Sequence, residues 1–280
     1  MILSFSLLHP FTRFSWLEWS IHPSTVVGLL SLAAIYILRI ANGKPTESVS
    51  GLRRLSFFAA LFVIFVALNG PIHDLSDNYL FSGHMVQHLL LTMLMPPLLL
   101  AGIPGWMLRP LLRNRAIGAI ARRLTRPVAC FLIFNVVIAG WHVPALYNAA
   151  MEHHELHIVE HLMFMAAAVL MWWPLASQLP ELPRLAYPGQ MLYSFLMTIP
   201  MSVVAVYITM ADRVLYPWYA SAPRIMSLSP MEDQLLGGLI MWVPGGLIFM
   251  IIMTVIFFKW AARGEDHAAA AQVDWKPRAA

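Results

Sequence analysis

The stretch SGHMVQHLLLTMLMPPLLLAGIPGW, Ser82 to Trp106, decides the fold class. From Met85 to Ile103 it is apolar enough and long enough to cross a bilayer as a helix, which takes about 20 residues. It nevertheless opens with two histidines. His84 and His88 are four apart, so on a helix they stack on one face about one turn from each other, the spacing with which two imidazoles grip one metal. His88 falls inside the apolar boundary, where an ionisable group is costly and points to function. One buried histidine bonded to a neighbouring helix is an ordinary packing feature; two at this spacing suggest a site.

The rest of the composition agrees with a membrane protein. The chain is 59% hydrophobic and 11% charged, with a mean hydropathy of +0.68, outside the range of soluble domains. A formal charge of +4 would suggest nucleic acid in a soluble protein, but here the basic residues sit in short loops between apolar runs. That is a topology signal, and no nucleic-acid module is present. The single cysteine, Cys130, excludes an internal disulfide and any paired-cysteine metal clip. The N-terminus has no basic region followed by a small-residue cleavage site, so it reads as mature sequence.

Seven spans follow in order: Ser24 to Ile40, Leu52 to Leu68, the stretch above, Pro127 to Trp141, one ending at Pro174, Tyr187 to Met210, and about Asp233 to Trp260. The Pro96-Pro97 pair predicts a kink or break in the third. The apolar part of the fifth, Leu162 to Pro174, is too short alone, so its helix must take in Glu155, His157, Glu160 and His161. The expected architecture is an all-α, seven-helix polytopic bundle. Residues 1–23 form an outer N-terminal segment, 24–260 the membrane domain and 261–280 a disordered or weakly helical cytoplasmic tail.

Fifteen of the eighteen Lys and Arg lie in the loops after spans 1, 3 and 5, at the span ends that border them, or at the C-terminal end. The positive-inside rule then puts the N-terminus outside and the C-terminus in the cytoplasm. Spans 3, 5 and 7 start on the outer side, which gathers eight of the eleven histidines in one layer: His73, His84, His88, His142, His153, His154, His157 and His161. The starts of spans 3 and 5, HMVQHL and HIVEHL, read alike, as a duplicated hairpin would. Span 7 adds Glu232-Asp233-Gln234, with Gly237 and Gly238 allowing a neighbouring helix close approach.

Neutral imidazoles with a carboxylate suit copper or zinc. The candidate ligands are His84, His88, His157, His161, Asp233, His142 and His153. On span 5, His153, His157 and His161 advance by four, drifting about 40° per step, so they form one stripe with Glu160 at its edge. Met85, Met151 and Met231 lie in the right layer to offer thioethers to Cu(I). Tyr216, Trp218 and Tyr219 read as an interfacial belt. Asp233 has three readings, an N-cap of its own helix, a metal ligand, or a partner to a ligating histidine, and one of the two roles at the metal is expected.

The blocks H-x-x-x-H-L-L with Pro-Pro and Gly-Ile-Pro, Trp141-His142-x-Pro144, His157-x-x-Glu160-His161, and Asp233-Gln234 with the glycine pair and Met241-Trp242 resemble the bacterial caa3-type cytochrome c oxidase assembly factor family, CtaG, from Leu55 to Trp260. The resemblance implies a multi-pass protein of the bacterial plasma (inner) membrane that helps mature a haem-copper oxidase by supplying copper. Its partners would be cytochrome c oxidase subunits, the lipid bilayer and a copper donor on the outer side, and it would not itself be an enzyme. An unrelated single-span copper chaperone sharing the name relies on paired cysteines and is excluded. Two other classes fit the residues: an intramembrane zinc hydrolase using Glu160 or Asp233 as base, and a haem-b electron carrier with axial His88 and His161.

Overall fold

A computed structural model describes residues 5–6, 14–43 and 48–274, with side chains for 14–43 and 48–263. Among these residues the chain is helical except for loops and one two-residue parallel pairing, β1 (Phe5–Ser6) with β2 (Trp19–Ser20). Helix α1 (Pro23–Ala41) begins with proline at a first-turn position, where its missing N–H costs nothing. Only Tyr36 of α1 is buried, and Val27, Leu30, Ile35 and Leu38 point outward as lipid-facing residues do. Helix α2 (Gly51–Leu68) ends at Asn69, which is fully buried, accepts from the His22 N–H at 2.8 Å and donates to Phe65 O at 3.0 Å.

At Gly70 the chain adopts φ +67°, and a Cβ there would collide with the Trp19 ring. Only glycine fits both conditions. The stretch after it is a helix, α3 (Gly70–Asn78), that folds back on the bundle and carries His73 and Asp77.

The third span runs unbroken over 22 residues, as α4 (Phe81–Leu89), a π-turn (Leu90–Leu94) and α5 (Met95–Gly102). The expected break at Pro96-Pro97 is replaced by this widened turn just upstream, which relieves the clash of a proline ring with the preceding turn. Proline lacks the N–H that would bond the carbonyl four residues back. That carbonyl, Thr92 O, accepts instead from Trp172 Nε1 at 2.9 Å, tying the fifth span to the third.

Next come α6 (Gly105–Leu112), α7 (Arg115–Leu124) and α8 (Pro127–Trp141). With 15 residues, α8 is shorter than a full crossing needs, and it is long and apolar enough only together with α7, from which it is bent by 74°. Among the described residues six helices are long and apolar enough to cross, and the count is seven if the bent pair is one span. A short α9 (Pro144–Glu152) leads into α10 (His154–Ala176), which includes His157, Glu160 and His161 as its required length demanded. Then follow α11 (Tyr187–Thr209), the one-turn α12 (Pro217–Ala220) and α13 (Pro230–Asp274). Helix α13 continues past the expected end of the membrane domain at 260 to Asp274, and residues 275–280 lie outside the described residues. Gly237 lets α13 approach the Phe81 ring on α4, and Gly238 lets it approach Thr209 on α11.

The bundle is polar in the literal sense. Histidines from α3, α4 and α10 meet His142, which follows α8, at one end, while Arg39, Arg109 and Arg113 surround a cavity at the other, where Arg109 also pairs with Glu181 at 3.0 Å. The positive-inside rule predicts that the arginine end is cytoplasmic. A reporter fused after Ala280 is therefore expected to be cytoplasmic and one placed near Asp77 external. The opposite result would put the histidines on the cytoplasmic side.

Candidate metal centre

The site is built on Glu160. Its residue is fully buried and neither carboxylate oxygen has a hydrogen-bond partner. Oε1 lies 4.0 Å from His84 Nε2 and 3.8 Å from His88 Nε2, and Oε2 lies 4.0 Å from His157 Nε2. These gaps are too long for hydrogen bonds. They fit donors on opposite sides of a metal ion, since bonds of about 2.0–2.2 Å allow donor separations up to about 4 Å. His84 and His88 bring their Nε2 atoms to 2.7 Å, and His84, His88 and His161 can each offer a nitrogen within 4.8 Å of the others. The spacing of four on α4 produces that convergence.

Hydrogen-bond partners fix which nitrogens are available. The one phenolic proton of Tyr219 goes to Ser76 O at 2.6 Å, because a carbonyl only accepts. At the 3.2 Å contact with Tyr219, His84 Nδ1 must therefore donate, which leaves its Nε2 a lone pair that accepts from His88 Nε2 at 2.7 Å, and His88 Nδ1 is the buried nitrogen without a partner. His142 Nδ1 donates to Ile138 O at 2.7 Å, so its Nε2, buried and unpartnered, is also a lone pair, on a ring 5.7 Å from that of His88. His157 Nδ1 faces Asp77 Oδ2 at 3.5 Å, and its Nε2 is buried and unpartnered. His161 Nε2 is likewise buried without a partner. A ring held at one nitrogen by an outer group, with the other left open, is the arrangement of ligating histidines.

His73 takes a different part. Gln87 Nε2 donates to its Nδ1 at 3.1 Å, so its Nε2 carries the proton and faces Asp77 Oδ2 at 3.3 Å. Burial holds its imidazole down, at a pKa of about 4, with Asp77 opposing the shift. Both ring nitrogens are used, so His73 supports Asp77, and Asp77 in turn orients His157.

Of the expected ligands, His84, His88, His157, His161 and His142 come together. His153 and Asp233 do not join them in the described contacts. His153 is exposed and extended, with φ −123° and ψ 106°, because the helix starts after it and the four-residue stripe does not reach back that far. Its carbonyl instead accepts the N–H groups of Leu156 and His157.

Asp233 is fully buried and its oxygens are taken: Oδ2 accepts from Phe81 N at 2.8 Å, and Oδ1 from Ser82 N at 3.1 Å and Ser82 Oγ at 2.5 Å. It caps the start of α4, two residues before His84. It does not cap its own helix, because Ser229 and Glu232 do that reciprocally, at 3.2 Å and 2.7 Å.

Met85 faces Gly237 of α13, Met151 Sδ sits 4.0 Å from the Tyr219 hydroxyl, and Met231 is half-buried at the start of α13. The donors around Glu160 are thus nitrogen and oxygen. Tyr216 and Tyr219, expected in an interfacial belt, are 1% and 2% exposed, and Tyr219 is part of the site. Sequence reasoning also passed over Asp77 and His73 as a pair. Their spacing of four was the available signal, hidden because the segment read as a loop.

A cavity of about 470 Å³ between α1, α2 and α10 runs from half-buried His22 and exposed His154 to His73, His157 and His161.

Fold and site together define a polytopic membrane protein with a buried polyhistidine–carboxylate centre at one end of the bundle. Family comparison is more specific: residues 29–263 match the cytochrome c oxidase caa3 assembly factors, and the chain belongs to that family. It is also similar to uncharacterized proteins of Mycobacterium bovis and Mycobacterium tuberculosis, each 25% identical over 212 residues, or 70% of this chain and 32% of theirs. A Mycobacterium leprae protein is 23% identical over the same length. The chain thus spans about a third of the length of these curated relatives. No solved structure matches it.

Proposed function

We propose that this protein acts in the bacterial plasma membrane as a copper-binding assembly factor for a haem-copper cytochrome c oxidase. The observation that carries the reading is Glu160: a carboxylate with no exposure and no hydrogen-bond partner, facing the Nε2 atoms of His84 and His88, which pair with each other, and the unpartnered Nε2 of His157. Burying such a group costs several kcal/mol unless a cation compensates it. His84, His88 and His161 would hold the ion with Glu160, and His142 stands beside His88 as a further nitrogen. Copper supplied here would pass to an oxidase subunit, with a donor on the outer side loading it through the cavity at His22 and His154.

Histidine and carboxylate favour Cu(II) or zinc over Cu(I), which prefers sulfur. A haem fits less well, because between His88 and His161, with ring centroids 6.0 Å apart, the His84 ring and the Glu160 carboxylate already occupy the space a macrocycle would need. Elemental analysis of the purified protein tests the proposal. Copper is the expected metal; zinc would turn the reading toward a hydrolase, and a haem absorption band toward an electron carrier. His88→Ala and His161→Ala are each expected to lose metal retention while the protein remains in the membrane, since losing a ligand costs affinity more than it costs a seven-helix fold. Full metal content in both variants would overturn the site.

A further inference from the structure

We infer that the centre holds two metal ions, one on the α4 histidine pair and one on the α10 pair, with Glu160 bridging them. This rests on the metal-binding reading above and adds a second site to it. The first group, His84, His88 and His161, leaves His157 out. Yet His157 Nε2 is buried and unpartnered like His161 Nε2, Asp77 orients its ring from the far nitrogen, and it faces the opposite oxygen of Glu160. The carboxylate therefore has one oxygen toward the α4 pair and the other toward α10. A carboxylate that offers one oxygen to each of two ions is how paired metal sites about 3.5–4 Å apart are commonly joined.

The two helices carry equivalent pairs. His84 and His88 are four apart with ring centroids at 4.2 Å, and His157 and His161 are four apart with centroids at 4.3 Å. The pairs face each other, with His84 lying 5.6 Å from His157 and 6.0 Å from His161. On the α4 side His142 Nε2 is an added nitrogen donor. On the α10 side Asp77 holds the His157 ring from Nδ1, which leaves Nε2 open toward an ion shared with His161. One ion would satisfy one Glu160 oxygen and leave His157 Nε2 and the other oxygen buried without partners. Two ions satisfy all of them.

The test is stoichiometry and spin counting on full-length protein in detergent, loaded with excess Cu(II) and freed of loosely held metal. The parent is expected to retain two copper equivalents per chain, with an integrated electron paramagnetic resonance signal well below the total copper, because two Cu(II) ions bridged at this distance couple. His157→Ala is expected to retain one equivalent, with a signal that accounts for all of it. A parent that saturates at one equivalent with a full spin count overturns the two-ion inference and leaves the single copper site standing. A parent that retains no copper overturns both. The parent measurement decides the matter even where the variant fails to fold.

Discussion

Glu160→Gln is expected to move two properties in opposite directions. Glutamine keeps the volume and removes the charge, so the metal-free protein gains stability, by roughly 1–3 kcal/mol, because a buried carboxylate without partners is no longer desolvated. Metal affinity falls at least as far as the 10–100-fold seen when an outer group is lost, since Glu160 lies between the histidines themselves. A ligand at a thousand times its Kd stabilises a fold by about 4 kcal/mol. The stabilisation by copper should therefore fall by at least about 1.4–2.7 kcal/mol, shrinking the thermal shift on adding copper, while the metal-free midpoint rises. Thermal unfolding in detergent, with and without copper, reads both. An unchanged midpoint together with unchanged copper content would remove Glu160 from the centre.

The second large effect is at Asp233. Its carboxylate takes three hydrogen bonds from Phe81 and Ser82 at a fully buried helix start. Asp233→Ala leaves those donors unmet, at a cost of about 1–3 kcal/mol for each such buried group. Asp233→Asn is milder but not neutral, because its NH₂ faces an N–H where an acceptor is needed. In both variants the first turn of α4 is expected to fray, seen as faster amide exchange over residues 79–85, and copper affinity to fall because His84 loses its place. The order of cause is testable. If copper is lost while the metal-free protein keeps the parent's stability and exchange, Asp233 acts on the metal directly and the capping account fails.

This residue shows where reading the chain alone reaches its limit. An aspartate near the start of an apolar helix reads as that helix's cap or as a charge serving the site. It is in fact the cap of a different helix 151 and 152 residues away in sequence. Capping chemistry is local in geometry but need not be local in sequence, and Ser229 with Glu232 had already met the local need. His153 illustrates the converse. Its spacing placed it on the ligand stripe, but periodicity applies only inside a helix, and the helix begins one residue later.

The sequence by itself determined that this chain is a helical membrane protein, because a long apolar run in water has no alternative to burying its backbone in lipid as helix. It also determined that the histidines share one end, because each crossing reverses direction and the charged loops alternate. The pairs His84/His88 and His157/His161 were legible for the same reason, as one helical turn brings i and i+4 together. Only the tertiary structure decided what lies between them. Glu160 at the centre of the rings, Asp77 and His73 behind His157, and Tyr219 behind His84 all depend on how the helices rotate about their axes and pack. Packing of side chains between distant helices fixes those rotations, and no spacing within one helix contains them.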